Sequence, residues 1–270
     1  MKSTVFLGGG RITSALIAGL RLARYARPIV VHDHNPEKLR ALRRKFGIAA
    51  AADLKSAVAQ AGTLVIAVRP TAVAELLDEV EVEVARSAAV TEPMLAISLA
   101  AGIPLKTLRS RLGPPVLWAR AMPSPVCRIG RGLTAVAFDR RVPRPSRDQV
   151  HKFFAQVGPV LELPENQFDA FNAAYSPSHG YHALATLANA AQASGLDRKT
   201  AFIAAAHALA DALIYWRQSR ETVADLLQES ATPGGTSAAT MAAMKKSGYE
   251  KAVAAGLKAG IERARRNAGL

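Results

Sequence analysis

The sequence predicts an α/β fold, with a helix-covered parallel sheet in its N-terminal part and an all-α domain after it. Two observations carry this. Short β-branched runs alternate with helical stretches through the first half, the pattern of parallel strands joined by helices. Beyond the Pro/Arg-rich stretch 140–147, the chain becomes rich in Ala and Leu and loses those runs. The boundary is placed at 163/164, giving a first domain of residues 1–163 and a second of 164–270. Half of the 270 residues are apolar, enough for a core in each.

Ser3–Leu7 reads as the first strand. Residues 12–25 place Ile12, Ala15, Leu16, Gly19 and Leu20 at helical spacing and read as the first helix. Residues 28–32 form a second β-branched run. A charged helix follows at 36–46, entered through Asn35 as cap with Pro36 in its first turn. Residues 64–68 are a continuous apolar strand ending at Arg69-Pro70, and 71–80 the next helix. Strands at 94–99 and 116–119 complete the parallel core, and 133–138 adds another. A helix at 150–156 and an extended piece at 160–163 close the first domain. In the second, helices are expected at 166–175, 181–194, 198–217, 222–228, 237–246 and 250–268.

Composition removes several function classes. The single cysteine, Cys127, cannot form an internal disulfide, and no paired Cys/His spacing points to a metal cage, so no metal is expected and a reducing cytoplasm fits best. The apolar run 4–7 is too short for a signal-peptide core, and nothing later reaches membrane-spanning length without polar interruption. The net charge of +14 raises a nucleic-acid partner. Its distribution argues against one, because Arg21, Arg24, Arg40, Arg43, Lys245 and Lys246 are scattered without interleaved aromatic residues for stacking bases. Neither a nucleic acid nor a membrane is an expected partner.

Gly8-Gly9-Gly10-Arg11-Ile12-Thr13 lies between the first strand and the first helix. There a pyrophosphate can rest on helix N-terminal amides with no side chain in the way. The match to G-x-G-x-x-G is incomplete, since Thr13 replaces the third glycine, and a looser helix–strand fit is expected there. Asp33 ends the second strand, where a carboxylate accepts the ribose 2′-hydroxyl of NAD(H) or, with nearby cations, tolerates a 2′-phosphate. The alternative role for Asp33 is to cap its own turn. His34, Lys38 and Arg40 are the compensating candidates, and the choice between NADH and NADPH stays open. These features make the first domain a Rossmann-type dinucleotide-binding domain. Its cofactor-binding candidates are Gly8, Gly10, Arg11, Ile12, Asp33, His34, Asn35, Val68, Arg69 and Pro70. Ser98–Ile103 and the Arg120–Pro125 stretch end two further strands with small or proline-bounded turns, which with the Arg69-Pro70 end make a crevice on one side of the sheet.

In the helical domain, Thr232-Pro233-Gly234-Gly235-Thr236-Ser237 opens a helix. Pro-Gly-Gly at a helix entrance exposes backbone N–H groups, and the hydroxyls add donors, which suits a substrate carboxylate. An ordinary capped helix start is the plainer reading, but two adjacent glycines exceed what a cap needs. Ser176-Pro177-Ser178-His179 interrupts the helical pattern. His179 there is either a proton donor to a substrate nitrogen or a structural helix-start residue.

The order of these motifs resembles the pyrroline-5-carboxylate reductase family over essentially the full length. The match runs through Gly8-Gly9-Gly10, Asp33 to Leu39, Ala67-Val68-Arg69-Pro70, Ile97 to Ile103, Arg120-Ala121-Met122-Pro123, Gly195-Leu196 and Thr232-Pro233-Gly234-Gly235-Thr236. The resemblance implies reduction of a cyclic imino acid, Δ1-pyrroline-5-carboxylate, to proline by hydride from NADPH or NADH. It also implies a homodimer through the helical domain, often built into larger homo-oligomers. His179 and Ser237 become the catalytic candidates, and Met122, Pro123, Ser124, Thr232, Gly234, Gly235, Thr236 and Ser237 the substrate-binding ones. Four departures fall at these places. Ser124-Pro125-Val126 stands for the family's Asn-Thr-Pro, Ser176-Pro177-Ser178-His179 for Gly-Pro-Ala-Tyr, His34 for Arg and Ser237 for Thr. Two alternatives stay open, a related reductase of another imine and a nucleotide-binding protein without turnover.

Overall fold

The structure is a computed structural model and describes residues 2–86 and 93–267. Two compact units appear, one built on residues up to Tyr175 together with the end of the chain from Ala259, the other on Ser176–Lys258. In the first unit the order is β1 (Ser3–Leu7), α1 (Arg11–Leu22), β2 (Ile29–His32), α2 (Pro36–Phe46), β3 (Ala49–Ala50), α3 (Leu54–Ala59), β4 (Ala61–Ile66) and α4 (Val73–Arg86). Then come β5 (Met94–Ser98), α5 (Leu105–Arg111), β6 (Val116–Pro123), β7 (Thr134–Phe138), α6 (Arg144–Ala155), β8 (Val160–Glu162) and α7 (Phe168–Ala174). The strands form one sheet in the order β3-β2-β1-β4-β5-β6-β7-β8.

All neighbouring pairs are parallel except β6 and β7. That exception follows from the linker. A parallel return needs a crossover of about a dozen residues or more, usually a helix. The segment between β6 and β7 holds only the 3₁₀ turn Pro125–Ile129, so the chain doubles back. Along β1, Val5 and Leu7 enter one apolar core with Leu64, Ile66 and Trp118, while Phe6 enters the other with Leu16, Ile97 and Phe154. Both faces of the sheet are therefore covered, as parallel strands require.

Three short elements escape the sequence pattern, namely β3, α3 and α5. α3 carries mostly small residues, too few for a visible period, and is started by a reciprocal capping pair between Asp53 and Ser56. α6 begins at Arg144 rather than 150, because Pro145 sits comfortably in a first helical turn. The first unit continues past residue 163, since Phe168 of α7 is fully buried with Ala135 and Ala137 of β7. Tyr175 Oη also accepts the Leu133 N–H at 2.9 Å.

The expected looseness at Thr13 is not found. Thr13 is fully buried, and its hydroxyl donates to the Gly8 carbonyl at 2.6 Å, tying the helix entrance to the strand end. The close approach that α1 does need is made by Gly19, where a Cβ would collide with the Cys127 carbonyl.

The second unit contains α8 (Pro177–Ala193), α9 (Arg198–Gln218), α10 (Val223–Ser230), α11 (Thr236–Lys246) and the first part of α12 (Tyr249–Asn267). α8 starts earlier than the expected 181, with Ser176 accepting from the Ser178 N–H and Pro177 in the first turn. The expected end of the last helix at Ala268 lies outside the described residues. α9 leaves Ile203, Leu213, Ile214, Tyr215 and Trp216 exposed. Among the described residues, no helix is long and apolar enough to cross a membrane.

Candidate functional site

Strand order reverses between β1 and β4, and the crevice at their C-terminal ends is where open α/β sheets bind ligands. A cleft of about 730 Å³ opens there. It gathers Gly8, Gly10, Arg11, Asp33, His34, Val68 and Arg69 from the predicted set, together with Lys38. Three predicted residues have other places. Ile12 packs beside the core of α1, Asn35 caps α2 by accepting from the Glu37 N–H at 2.9 Å, and Pro70 opens a 3₁₀ turn. Sequence reasoning missed Glu75 and Glu79 of α4, which line the same cleft. Their i, i+4 spacing just after Arg69-Pro70 was the available signal.

The glycine turn shapes the cleft floor. Gly8 adopts φ +108°, and a Cβ there would stand 2.7 Å from the Ala67 carbonyl oxygen. Gly10 caps α1 without a side chain, and a Cβ on it would meet nothing within 4 Å. The first helical bond of α1 runs from the Ser14 N–H to the Gly10 carbonyl, so the N–H groups before Ser14 have no intrahelical acceptor. A side-chain-free turn under uncommitted N–H groups fits a dinucleotide pyrophosphate.

Asp33 is 4% exposed at its side chain. Its Oδ2 accepts the Gly9 N–H at 2.7 Å and its Oδ1 the Asn35 N–H at 2.8 Å, while Lys38 Nζ lies 3.3 Å from Oδ2. Burial alone would raise its pKa, but the bonds from Gly9, Asn35 and Lys38 outweigh burial and hold the carboxyl below its ordinary value. A depressed folded-state pKa adds stability above the unfolded value of about 3.9, and this is lost as pH falls through the folded one. Wild type is therefore expected to melt above Asp33→Asn at about pH 6, with the gap closing below about pH 4. Paired thermal melts across that range check this. A gap that persists in acid would remove the ionised carboxylate from the turn's support.

At the next strand ends, Ser98 is buried and its Oγ accepts the Ala100 N–H at 3.3 Å. Met122 packs with Phe168, and Pro123 is the last residue of β6 to pair with β7. Ser124 is buried, with its Oγ accepting the Val126 N–H at 3.2 Å.

In the second unit, Thr232-Pro233-Gly234-Gly235 is a type II turn. The Thr232 carbonyl accepts the Gly235 N–H at 2.9 Å, with proline second and Gly234 at φ +77° third. α11 then starts at Thr236 with Gly235 as its cap, and its first helical bond runs from the Ala239 N–H to the Gly235 carbonyl. The N–H groups of Thr236 and Ser237 thus lack intrahelical acceptors, and both residues are exposed. His179 sits exposed in the first turn of α8, its N–H donating to the Ser176 carbonyl at 3.0 Å. The predicted residues of this unit therefore occupy two helix entrances.

Comparison with known proteins covers both parts of the chain. A family model described as pyrroline-5-carboxylate reductase dimerisation matches residues 165–267, and one described as NADP oxidoreductase coenzyme F420-dependent matches 3–94. The pyrroline-5-carboxylate reductase of Mycobacterium leprae is 30% identical, covering 96% of this chain and 94% of its own. That of Corynebacterium melassecola is 28% identical over 93% of each. Among solved structures, the pyrroline carboxylate reductase of Plasmodium falciparum with NADP bound superposes with a TM-score of 0.87 at 18% identity, covering 99% and 98% of the two chains. The 1-pyrroline-5-carboxylate reductase of Streptococcus pyogenes gives 0.88 at 20% identity over 98% of each.

Proposed function

The chain belongs to the pyrroline-5-carboxylate reductase family, and from that membership we propose that it reduces Δ1-pyrroline-5-carboxylate to L-proline with NADPH or NADH. The observation that carries this reading is the cleft at the β1–β4 reversal, whose side-chain-free turn and acidic corner suit a dinucleotide in a chain related end to end to these reductases. Lys38 beside Asp33, with Arg11 and His34 on the same cleft, offsets the repulsion a carboxylate exerts on a 2′-phosphate, so both cofactors are compatible with it.

When bound, the reduced nicotinamide supplies the hydride. The chain's own residues have the task of placement. Gly8, Gly10 and Arg11 hold phosphate, Asp33 and His34 shape the ribose corner with Asn35 donating its N–H to Asp33, and Val68 and Arg69 wall the crevice beyond it. The helical part, expected at 164–270 and compact over Ser176–Lys258, is assigned to substrate and dimer contacts. Thr232, Gly234, Gly235, Thr236 and Ser237 hold the substrate carboxylate through backbone N–H groups and hydroxyls. A cyclic imine takes its proton from water readily, so positioning supplies most of the rate. His179 and Ser237 then act as donor or orienting groups at the imine nitrogen. The protein is a homodimer able to build larger homo-oligomers, a reading supported by the apolar residues α9 leaves exposed. Cys127 is buried and its thiol pushed up to about 12 by burial, so it stays protonated at neutral pH, in keeping with a cytoplasmic protein.

The test is oxidation of NADPH and NADH across a panel of cyclic imines. Pyrroline-5-carboxylate is expected to give the highest kcat/KM. Preference for a six-membered or sulfur-containing ring would transfer the reading to a related reductase, for which the departures at Ser124 and His179 are the motive. Cofactor binding without oxidation of any imine would leave a nucleotide-binding protein.

A further inference from the structure

We propose that Glu165 is a positioning residue, which with Arg120 and the end of α12 fixes the β5–α5 loop as a wall for the nicotinamide half of the cofactor. The proposal rests on the reductase reading above. Residues 99–104 leave β5 at the same sheet edge as the cleft, one strand beyond Ala67-Val68-Arg69. The Leu99 N–H donates to the Ile66 carbonyl at 2.9 Å, so the loop begins directly beside that wall. A dinucleotide whose adenosine lies near Asp33 must extend along this edge.

The loop is held from two sides by residues distant in sequence. α5 begins after Pro104, which offers no side-chain cap. In its place Glu165 Oε1, from 60 residues downstream, accepts the Leu105 N–H at 2.6 Å. The same oxygen accepts from Arg120 Nη1 at 3.2 Å. The Arg120 side chain is 3% exposed, its guanidinium lies 4.6 Å from the Phe168 ring centre, and its Nη2 is 3.5 Å from Asp169 Oδ1. A cation buried this far from water is tolerated only while paired. Glu165 Oε1 therefore joins the start of α5, where the loop ends, to β6 at one atom, and Arg120 carries the link on to Asp169 of α7.

From the other side comes the end of α12, which belongs to the first unit. Asn267 Nδ2 donates to the Ala101 carbonyl at 3.3 Å. Gly102, at φ +81°, lies so close to the Ala264 carbonyl that a Cβ there would collide with it. Ala264 is itself buried in a stretch of helix whose neighbours are exposed. Two polar anchors and one close contact on so short a loop exceed what connecting a strand to a helix requires. They specify its backbone position, and small errors in placing reacting groups are costly in rate.

The experiment compares Glu165→Ala with wild type in fluorescence titrations of NADPH and NADH, and in calorimetric titration of adenosine 5′-diphosphate, a probe for the adenosine half alone. Dinucleotide affinity is expected to fall about tenfold with the diphosphate unchanged, and kcat to fall with an increased isotope effect from 4-deuterated cofactor. Equal weakening of both ligands, or of neither, would overturn the proposal, the first because it marks a merely structural role. Asn267→Ala removes only the hydrogen bond to Ala101 and is expected to move the same ratio about threefold. It decides the matter if Glu165→Ala does not fold, and an unchanged ratio then counts against the proposal. If wild type binds dinucleotide but reduces no imine, the functional reading fails while the binding ratio still tests the loop.

Discussion

Gly8→Ala is expected to lose dinucleotide binding by about 10²-fold or more and to melt well below wild type. The residue stands at φ +108°, where an L side chain is strained by about 1–3 kcal/mol. Its new Cβ would lie 2.7 Å from the Ala67 carbonyl oxygen and 3.2 Å from Val68 Cγ1. The Ala67 backbone cannot yield. The Ala67 N–H is bonded to the Leu7 carbonyl at 2.8 Å, and the Gly8 N–H to the His32 carbonyl at 2.8 Å, so the turn is clamped between β4 and β2. Overpacking at such a site adds about 1–3 kcal/mol, and together the two effects approach half of a typical domain's stability of about 5–15 kcal/mol. Gly10→Ala separates fold from site, because its Cβ meets nothing within 4 Å. It should melt like wild type and still bind dinucleotide more weakly, its methyl group occupying the phosphate approach. Fluorescence titration and thermal melts of both variants check this. Undiminished NADPH and NADH affinity in Gly8→Ala would sink the assignment of the turn.

Gly8 and Asp33 were legible because their work is local. A strand, a glycine turn, a helix and then an acidic strand end follow one another within a short span, and the structure joins turn and acid through the Gly9 N–H at 2.7 Å. The alternation of strands and helices was legible for the same reason, each element announcing itself by its own period. α3 and α5 were not, being too short to show one. The role of Gly19 could not be read either, since its partner, the Cys127 carbonyl, comes from a distant turn. Thr13 misled by analogy with a glycine motif, and only the 2.6 Å bond from its hydroxyl to Gly8 reveals a compensating contact. Glu165 lies furthest from sequence logic, because its partners Leu105 and Arg120 are brought to it by the sheet alone. Ser176–His179 read as a break between helices, whereas Ser-Pro is a helix-opening pair that the structure uses as such.

Gly234→Val is expected to raise the KM for the imino acid about 10²-fold while leaving dinucleotide affinity at the wild-type value. The type II turn needs its third residue at positive φ, and Gly234 stands at +77°. A β-branched side chain there costs about 1–2 kcal/mol, yet its Cβ would meet nothing within 4 Å, so the turn can change conformation without unfolding α11. What that change disturbs is the direction of the Thr236 and Ser237 N–H groups, which no helical carbonyl claims. Each hydrogen bond lost to a carboxylate weakens binding by about 1.5–3 kcal/mol, so misaligning one or two accounts for the expected effect. Dinucleotide affinity is spared because the Gly8 turn and the Asp33 corner belong to the first unit. Gly195 provides the matched control. It stands at φ +107° between α8 and α9, also with nothing within 4 Å of a Cβ, so Gly195→Val carries similar strain away from the proposed anion site. Steady-state kinetics on both variants should show KM rising for Gly234→Val alone. An equal rise in both would mark general damage to the helical unit, and no rise in Gly234→Val would place the substrate carboxylate elsewhere.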